Sequence, residues 1–403
     1  MTRFKTIHNA RLPGQDGFYT MTISDDGKIQ DIAVTDHRTI PISDTHDTPD
    51  AVLDVQGDWV SLGGIDLQIN GALGLAFPDL TDQHTAMLVK IAQFLWQEGI
   101  DGFLPTLVTT SIDNIHRALA VIASVQQQMT MAEDSESATI LGVHLEGPCL
   151  NPEKRGAHPN EHLQPLTIDG VQTLLGNYAS IVKVMTLASE LDPTGDVIPY
   201  LRSLGITVSL GHSQATAEQA TTAFHLGATM VTHAFNAMPA LHHRNPGLLG
   251  AALAHPEVSC GLIADGQHVC TTMLDLLIRI NRGSQCSATH VPDPGIFLVS
   301  DALSPLGLPD GTYPWDTRQI QVQHGTARLD DGTLAGTTHA LLVGVQNLVM
   351  WGICEPGEAI ALATIAPRHA IGLPGLKPGQ PANLLRWSYQ DVGRSLTWQR
   401  ITV

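Results

Sequence analysis

A chain of 403 residues, 43% hydrophobic and 15% charged, carries enough apolar material to bury a large core and too much for one small domain. Its 21 basic against 39 acidic residues, a formal net charge of -18, argue against nucleic acid or an anionic membrane as partner, since both are bound by basic surface. The five cysteines (Cys149, Cys260, Cys270, Cys286, Cys354) are odd in number, scattered and without a CxxC pair, so a disulfide framework and a zinc ribbon are both disfavoured.

The first eight residues, Met1 to His8, contain no apolar signal core, and no later run is long and apolar enough to span a bilayer. A cytoplasmic protein without a membrane partner is expected. Residues 17–23 and 28–34 read as strands joined by Ser24-Asp25-Asp26-Gly27, and the Asp-Gly step predicts a hairpin. Residues 40–51, rich in Thr, Asp and Pro, predict a surface loop.

From Val60 the rhythm changes to alternating strand-like and helix-like runs. Strands are predicted at 62–69, 102–108, 139–145, 181–187, 206–210, 228–232, 258–264 and 296–300. Helices are predicted at 81–98 with Thr81 as N-cap, and at 112–127, 168–178, 194–204, 216–226 and 272–280. Eight strands with intervening helices, and no GxGxxG after the first, predict an α/β fold of the (β/α)₈ barrel type over a doubly wound sheet. A hairpin turned at His324-Gly325 reads as an insertion, two helices follow at 341–354 and 360–371, and the chain ends in short strands. The expected organisation is a small β domain from residues 1–60 and 372–403 flanking a barrel over 61–371.

Polar residues fall where a barrel would place them at one mouth. Gln68 and Asn70, Glu146, His212, His233, Asp265 with His268, and Asp301 all lie at or just past the C-terminal ends of predicted strands. An isolated histidine in such a place satisfies itself locally, and charged residues commonly bound strands; the joint pattern is what points to a site. One carboxylate and two imidazoles, Glu146, His212 and His233, form a ligand set for a borderline divalent cation, Zn²⁺ the best match. Such an ion generates hydroxide near neutral pH, Asp301 could shuttle the proton, and His268 could donate to a developing oxyanion, which together describe an amide hydrolase. Asp301 could equally be a loop acid and His268 a solvent-facing loop histidine. The Leu241-His-His-Arg-Asn-Pro-Gly247 segment either seats an anionic group on Arg244 or lies in a solvated loop. His158, Asn236 and Ala237 are further candidates for substrate contact.

The motifs Gly64-Ile-Asp-Leu-Gln-Ile-Asn-Gly71, Leu145-Glu-Gly-Pro148, Gly211-His-Ser213, Thr232-His-Ala-Phe-Asn-Ala-Met238, Gly261-Leu-Ile-Ala-Asp-Gly-Gln-His-Val269 and Ser300-Asp-Ala302 closely resemble the N-acetylglucosamine-6-phosphate deacetylase family of the amidohydrolase superfamily. The resemblance implies Glu146, His212 and His233 as metal ligands, Asp301 as base then acid, and His268 as the group holding the acetamide and sugar. It further implies Arg244 as the phosphate ligand, reaching in from the neighbouring subunit of a homodimer, with His158, Asn236 and Ala237 lining the sugar site. Where many amidohydrolases carry His-x-His on the first strand this chain has Gln68-Ile-Asn70, which predicts one divalent ion per subunit with the two amides near its water. The expected reaction releases acetate from the sugar amide to give glucosamine 6-phosphate. The galactosamine epimer, and a catalytically silent protein on the same scaffold, are the alternatives.

Overall fold

The computed structural model describes residues 4–35, 52–132, 136–284 and 295–402, so the predicted loop at 40–51 and Cys286 lie outside the described residues. Eight parallel strands pair in chain order: Gly64–Ile69 (β1), Ile100–Val108 (β2), Val143–Glu146 (β3), Val182–Leu187 (β4), Thr207–Leu210 (β5), Met230–Val231 (β6), Ser259–Leu262 (β7) and Ile296–Leu298 (β8). The last meets the first, since Asp301 N donates to Gln68 O at 2.9 Å and Asn70 N to Ala302 O at 2.7 Å. The expected barrel is present.

These strands are apolar on both faces because both are covered. Alternate residues part company: Leu67, Leu104, Val184, Met230, Ile263 and Phe297 form a small cluster of their own, while Phe103, Met185, Leu210 and Leu298 join the large cluster that includes the helices. That alternation is the period-2 pleat of a closed sheet, with one set of side chains in the lumen and the other against the helical shell.

Two predicted strands are cut by glycines. Residues 139–145 form two pieces, Thr139–Ile140 and β3, because Gly142 takes φ 143 and a Cβ there would lie 2.6 Å from Ile181 O. The predicted first strand loses its start: Trp59–Leu62 pairs antiparallel with Leu384–Gln390, and the barrel strand begins only at Gly64. Between them Gly63 lies against the Asp101 carboxylate with no room for a side chain.

The helices are Thr85–Gln97, Ile112–Ala132, Ile168–Leu175, Val197–Ser203, Ala217–His225 and Thr271–Ser284, with Leu341–Met350 and Pro356–Ala370 after the insertion. Thr81 heads a short 3₁₀ turn, Asp82–His84, rather than the α-helix itself. A further helix, Gly247–Leu253, follows β6 where none is predicted. Its sequence GLLGAAL is buried on nearly every side, so it lacks the polar face that marks an amphipathic helix. No helix of the described residues is long and apolar enough to cross a membrane.

Outside the barrel, Thr6–Ala10, Tyr19–Ile23, Ile29–Val34 and Val52–Asp54 form one sheet, and Trp59–Leu62, Leu384–Gln390 and Ser395–Arg400 another. The predicted hairpin at Asp26-Gly27 is there, with Tyr19–Ile23 antiparallel to Ile29–Val34. Ile7, Met21, Ile29, Val60, Leu384 and Ile401 make one hydrophobic cluster from both ends of the chain. The insertion is a four-stranded antiparallel meander, Gly311–Trp315, Arg318–Gln323, Thr326–Leu329 and Leu334–Thr337, turned at His324-Gly325 as expected.

A buried ion triad ties the chain end to the barrel. The Asp101 carboxylate accepts from Gly63 N at 2.7 Å, Arg368 Nη2 at 2.9 Å and Arg400 Nη1 at 3.1 Å, and the Arg400 guanidinium lies 3.3 Å from the centroid of Trp96. Removing the acid leaves two cations without a counter-charge in a largely dry place. Asp101→Asn is therefore expected to lower unfolding stability by about 3–5 kcal/mol. Urea titration measures this, and a midpoint equal to that of the parent would show that the triad does not fasten the two regions.

Candidate metal centre and active-site cavity

Glu146 is the last residue of β3, while His212 and His233 lie just beyond the ends of β5 and β6. Both histidines and Asp301, beyond β8, take positive φ values of 49°, 30° and 48°. Non-glycine residues seldom hold such a conformation, and clusters of them mark functional sites. Here the turn brings three side chains from separate strands to one point. His212 Nε2 and His233 Nε2 each lie 3.1 Å from Glu146 Oε1 and 3.0 Å from one another.

The donor set fits a divalent cation. The His212 Nδ1 contacts the Lys154 carbonyl at 2.8 Å, and since a carbonyl only accepts, that nitrogen carries a hydrogen and leaves Nε2 facing the cluster. A carboxylate oxygen and two imidazole nitrogens so close together repel unless a proton or a cation lies among them. Their surroundings are buried, with Glu146, His212 and His233 at 2%, 5% and 4% exposure. Burial opposes charge on Glu146, yet contact with His212 and His233 holds its carboxyl well below the ordinary range, and Glu146 in turn raises His233 against the effect of burial. The cluster attracts positive charge, and its ligand atoms, all within 4.8 Å of one another, can serve one ion.

Asp301 stands beside this cluster, held by amides. Asn70 Nδ2 donates to its Oδ1 at 2.8 Å, and Gln68 Nε2 lies 3.2 Å from that same oxygen and 3.2 Å from both Glu146 oxygens. Thus an uncharged amide stands between two buried carboxylates. Burial and then the Glu146 charge push Asp301 up to about 6.

Two more histidines are oriented by partners. His158 Nδ1 receives Thr109 N at 3.3 Å and contacts Thr109 Oγ1 at 2.8 Å. Its ring hydrogen is therefore on Nε2, which lies 4.0 Å from Glu146 Oε1. Burial, followed by repulsion from His212, pushes this ring down to about 3 and keeps it neutral. His268 Nδ1 lies 2.7 Å from Asp265 Oδ2, and Asp265 also accepts from the backbone N–H groups of Gln267 and His268 at 2.8 Å.

All of this borders a cavity of about 560 Å³. Asn70, Glu146, His158, His212, His233, Asn236, Ala237, His268 and Asp301 line it, so nine of the candidate residues meet in one place, with Gln68 bonded directly behind them. Arg244 does not line this cavity within a single chain. It is exposed, with Nη1 2.9 Å from His243 Nε2. Three features carry no role in the sequence reading. Thr109 fixes the His158 tautomer, Asp265 fixes His268, and the insertion supplies Trp315 and Arg318 to the cavity, where Arg318 Nη2 donates to Ala157 O at 2.8 Å. The Asp-Gly-Gln-His spacing is a signal for the second, whereas nothing local in Trp-Asp-Thr-Arg shows which surface that turn will cover.

The chain matches the amidohydrolase family over residues 59–399. It is 34% identical to the N-acetylgalactosamine-6-phosphate deacetylase of Escherichia coli O157:H7 over 80% of this chain and 81% of that protein. It is also 34% identical to the N-acetylglucosamine-6-phosphate deacetylase of Homo sapiens over 79% of this chain and 76% of that protein. Among solved structures, N-acetylglucosamine-6-phosphate deacetylase from Pasteurella multocida superposes with TM-score 0.79 at 26% identity, covering 98% of this chain and 99% of the other. With the barrel, the Glu-His-His cluster and these relatives in agreement, the chain belongs to the amidohydrolase family, in its N-acetylglucosamine-6-phosphate deacetylase branch.

Proposed function

We propose that this protein removes acetate from N-acetylglucosamine 6-phosphate, giving glucosamine 6-phosphate, with Glu146, His212 and His233 holding one divalent ion per subunit. The observation that carries this is the convergence of those three side chains beside Asp301 at the floor of a cavity large enough for a small ligand. Zn²⁺ suits two imidazoles and a carboxylate best. A single ion is supported by Gln68 and Asn70, whose neutral amides replace imidazoles on β1 while Gln68 bridges the two carboxylates that a second cation would have to separate.

When bound, the ion supplies Lewis acidity toward the amide carbonyl and eases deprotonation of the attacking water. The rest falls to the chain. Asp301, anchored by Asn70 and Gln68, takes a proton from that water as its oxygen adds to the acetamide carbon, then gives the proton to the nitrogen as the C–N bond breaks. His158 offers Nε2–H toward the centre, in place to donate to the carbonyl oxygen as charge gathers there. His268, its other nitrogen held by Asp265, contacts the acetamide and sugar together with Asn236 and Ala237. The buried free thiols Cys149, Cys260 and Cys354 suit a cytoplasmic setting. The galactosamine epimer is a second reading, favoured by the E. coli O157:H7 relative.

Asp301→Asn keeps shape and neighbours but cannot hold the proton. Its kcat is expected to fall by about 10²–10⁴-fold while metal analysis still finds close to one equivalent per chain. In the parent, kcat/KM declines as pH falls through about 6, or lower once a cation is bound, because a protonated Asp301 cannot collect another proton. Unchanged turnover in the variant would remove Asp301 from the reaction, and a second tightly held equivalent needed for activity would contradict the one-ion centre.

Arg244, exposed in one chain, is assigned to the phosphate of a neighbouring subunit's substrate in a homodimer. Arg244→Ala is expected to weaken transition-state binding of the phosphorylated sugar by about 2–5 kcal/mol and to leave the unphosphorylated sugar nearly untouched. An equal loss on both substrates would make this loop structural.

A further inference from the structure

Beneath the Glu146, His212 and His233 cluster the lumen turns from apolar to polar. Deeper down it is filled by such residues as Leu104, Val184 and Met230. One pleat nearer the mouth it holds His144, Thr186, Ser209 and Thr232, which are 2%, 0%, 0% and 3% exposed. They form an unbroken chain of hydrogen bonds: Leu67 O to His144 Nδ1 at 2.9 Å, His144 Nε2 to Thr186 Oγ1 at 2.7 Å, Thr186 Oγ1 to Thr232 Oγ1 at 2.6 Å, and Thr232 Oγ1 to Ser209 Oγ at 2.6 Å.

The polarity of the chain follows from its carbonyl end. Leu67 O can only accept, so His144 Nδ1 carries the hydrogen and the neutral ring accepts at Nε2. Thr186 must then donate to His144, Thr232 to Thr186, and Ser209 to Thr232. Every hydroxyl is committed in one direction across β1, β3, β4, β5 and the residue that follows β6. Members of the chain sit just before proposed ligands, His144 two residues ahead of Glu146, Ser209 three ahead of His212 and Thr232 next to His233. The chain also packs against the residue before His212, since a Cβ on Gly211 would lie 2.8 Å from Thr232 Cβ and 2.9 Å from Thr186 Cγ2.

Branched aliphatic residues ordinarily fill such a layer, and a satisfied buried polar network offers little stability over a well-packed apolar one. What it adds is a fixed distance between strand ends, because each short hydrogen bond allows only a narrow separation. We propose that His144 is a positioning residue which, through Thr186, Thr232 and Ser209, sets the spacing of Glu146, His212 and His233 and thereby the affinity and coordination of the divalent ion. This rests on the metal-centre reading above.

The test compares Thr186→Val, which removes the relaying hydroxyl at nearly constant volume, with Thr186→Ser, which keeps it. The Zn²⁺ dissociation constant is measured by chelator competition, the visible spectrum is recorded after Co²⁺ substitution, and the Tm is taken without metal. Thr186→Val is expected to bind Zn²⁺ about 10–100-fold more weakly with altered cobalt bands, as for loss of a group that orients a ligand, and with little change in metal-free Tm. Thr186→Ser should stay near the parent. Parental affinity and an unchanged cobalt spectrum in Thr186→Val overturn the inference, as does a Thr186→Ser protein as weak as Thr186→Val. If Thr186→Val does not fold, Ser209→Ala removes only the terminal donor and should weaken binding less but in the same direction; no weakening overturns the inference. A parent protein that binds no divalent ion overturns the metal-centre reading as well, whereas a metal-binding parent with an indifferent Thr186→Val overturns this inference alone.

Discussion

Three atoms with lone pairs, one carboxylate oxygen and two imidazole nitrogens, are held within 3.1 Å of each other in a place shielded from water. Such a group repels itself unless it shares a proton or a cation, and its burial leaves little else to relieve it. The surrounding structure is arranged to hold it together. Strands β3, β5 and β6 each end at or just before a ligand, positive φ values turn both histidines inward, and Lys154 O fixes one ring. The cost in backbone strain is of order 1–3 kcal/mol per residue, and the packed barrel below absorbs it.

The neighbouring groups follow from the same constraint. A second buried carboxylate, Asp301, can stay close to Glu146 because Gln68 offers hydrogen to both without adding charge. A further mouth histidine, His158, is kept neutral by burial and by His212, so it can donate from Nε2 without competing for the cation. Above, the insertion closes one side of the cavity with Trp315 and Arg318, and the Arg318 bond to Ala157 O links it to the loop that carries His158.

Most of the barrel and nearly all of its mouth were legible in the sequence, because both rest on local patterns. An apolar run followed closely by an acid or a histidine marks a strand and its rim together, as in Ile296–Leu298 before Asp301 or Thr207–Leu210 before His212. What stayed hidden depends on distant packing. Gly142 and Gly63 break predicted strands since Ile181 and Asp101 occupy the space a side chain would need. Helix Gly247–Leu253 is buried nearly all round and so shows no amphipathic period. His144 is in plain view two residues before Glu146, yet its task is set by Leu67 and Thr186 on other strands. Arg244, exposed and in contact with His243, lies outside the cavity of the single chain, so no packing around it marks it as part of the site.

The central claim is that the Glu-His-His cluster with Asp301 cleaves the amide of an N-acetylated amino sugar phosphate. It is tested most directly by measuring acetate release by the parent protein from N-acetylglucosamine 6-phosphate, beside N-acetylgalactosamine 6-phosphate and unphosphorylated N-acetylglucosamine, with chelator and then with Zn²⁺ restored. The account predicts acetate and free amine in equal amounts from N-acetylglucosamine 6-phosphate, a higher kcat/KM than for either other sugar, and loss of turnover with chelator that Zn²⁺ reverses. Faster turnover of the galactosamine compound would move the assignment to that epimer, and no acetate from either phosphorylated sugar in the metal-loaded protein would contradict the account.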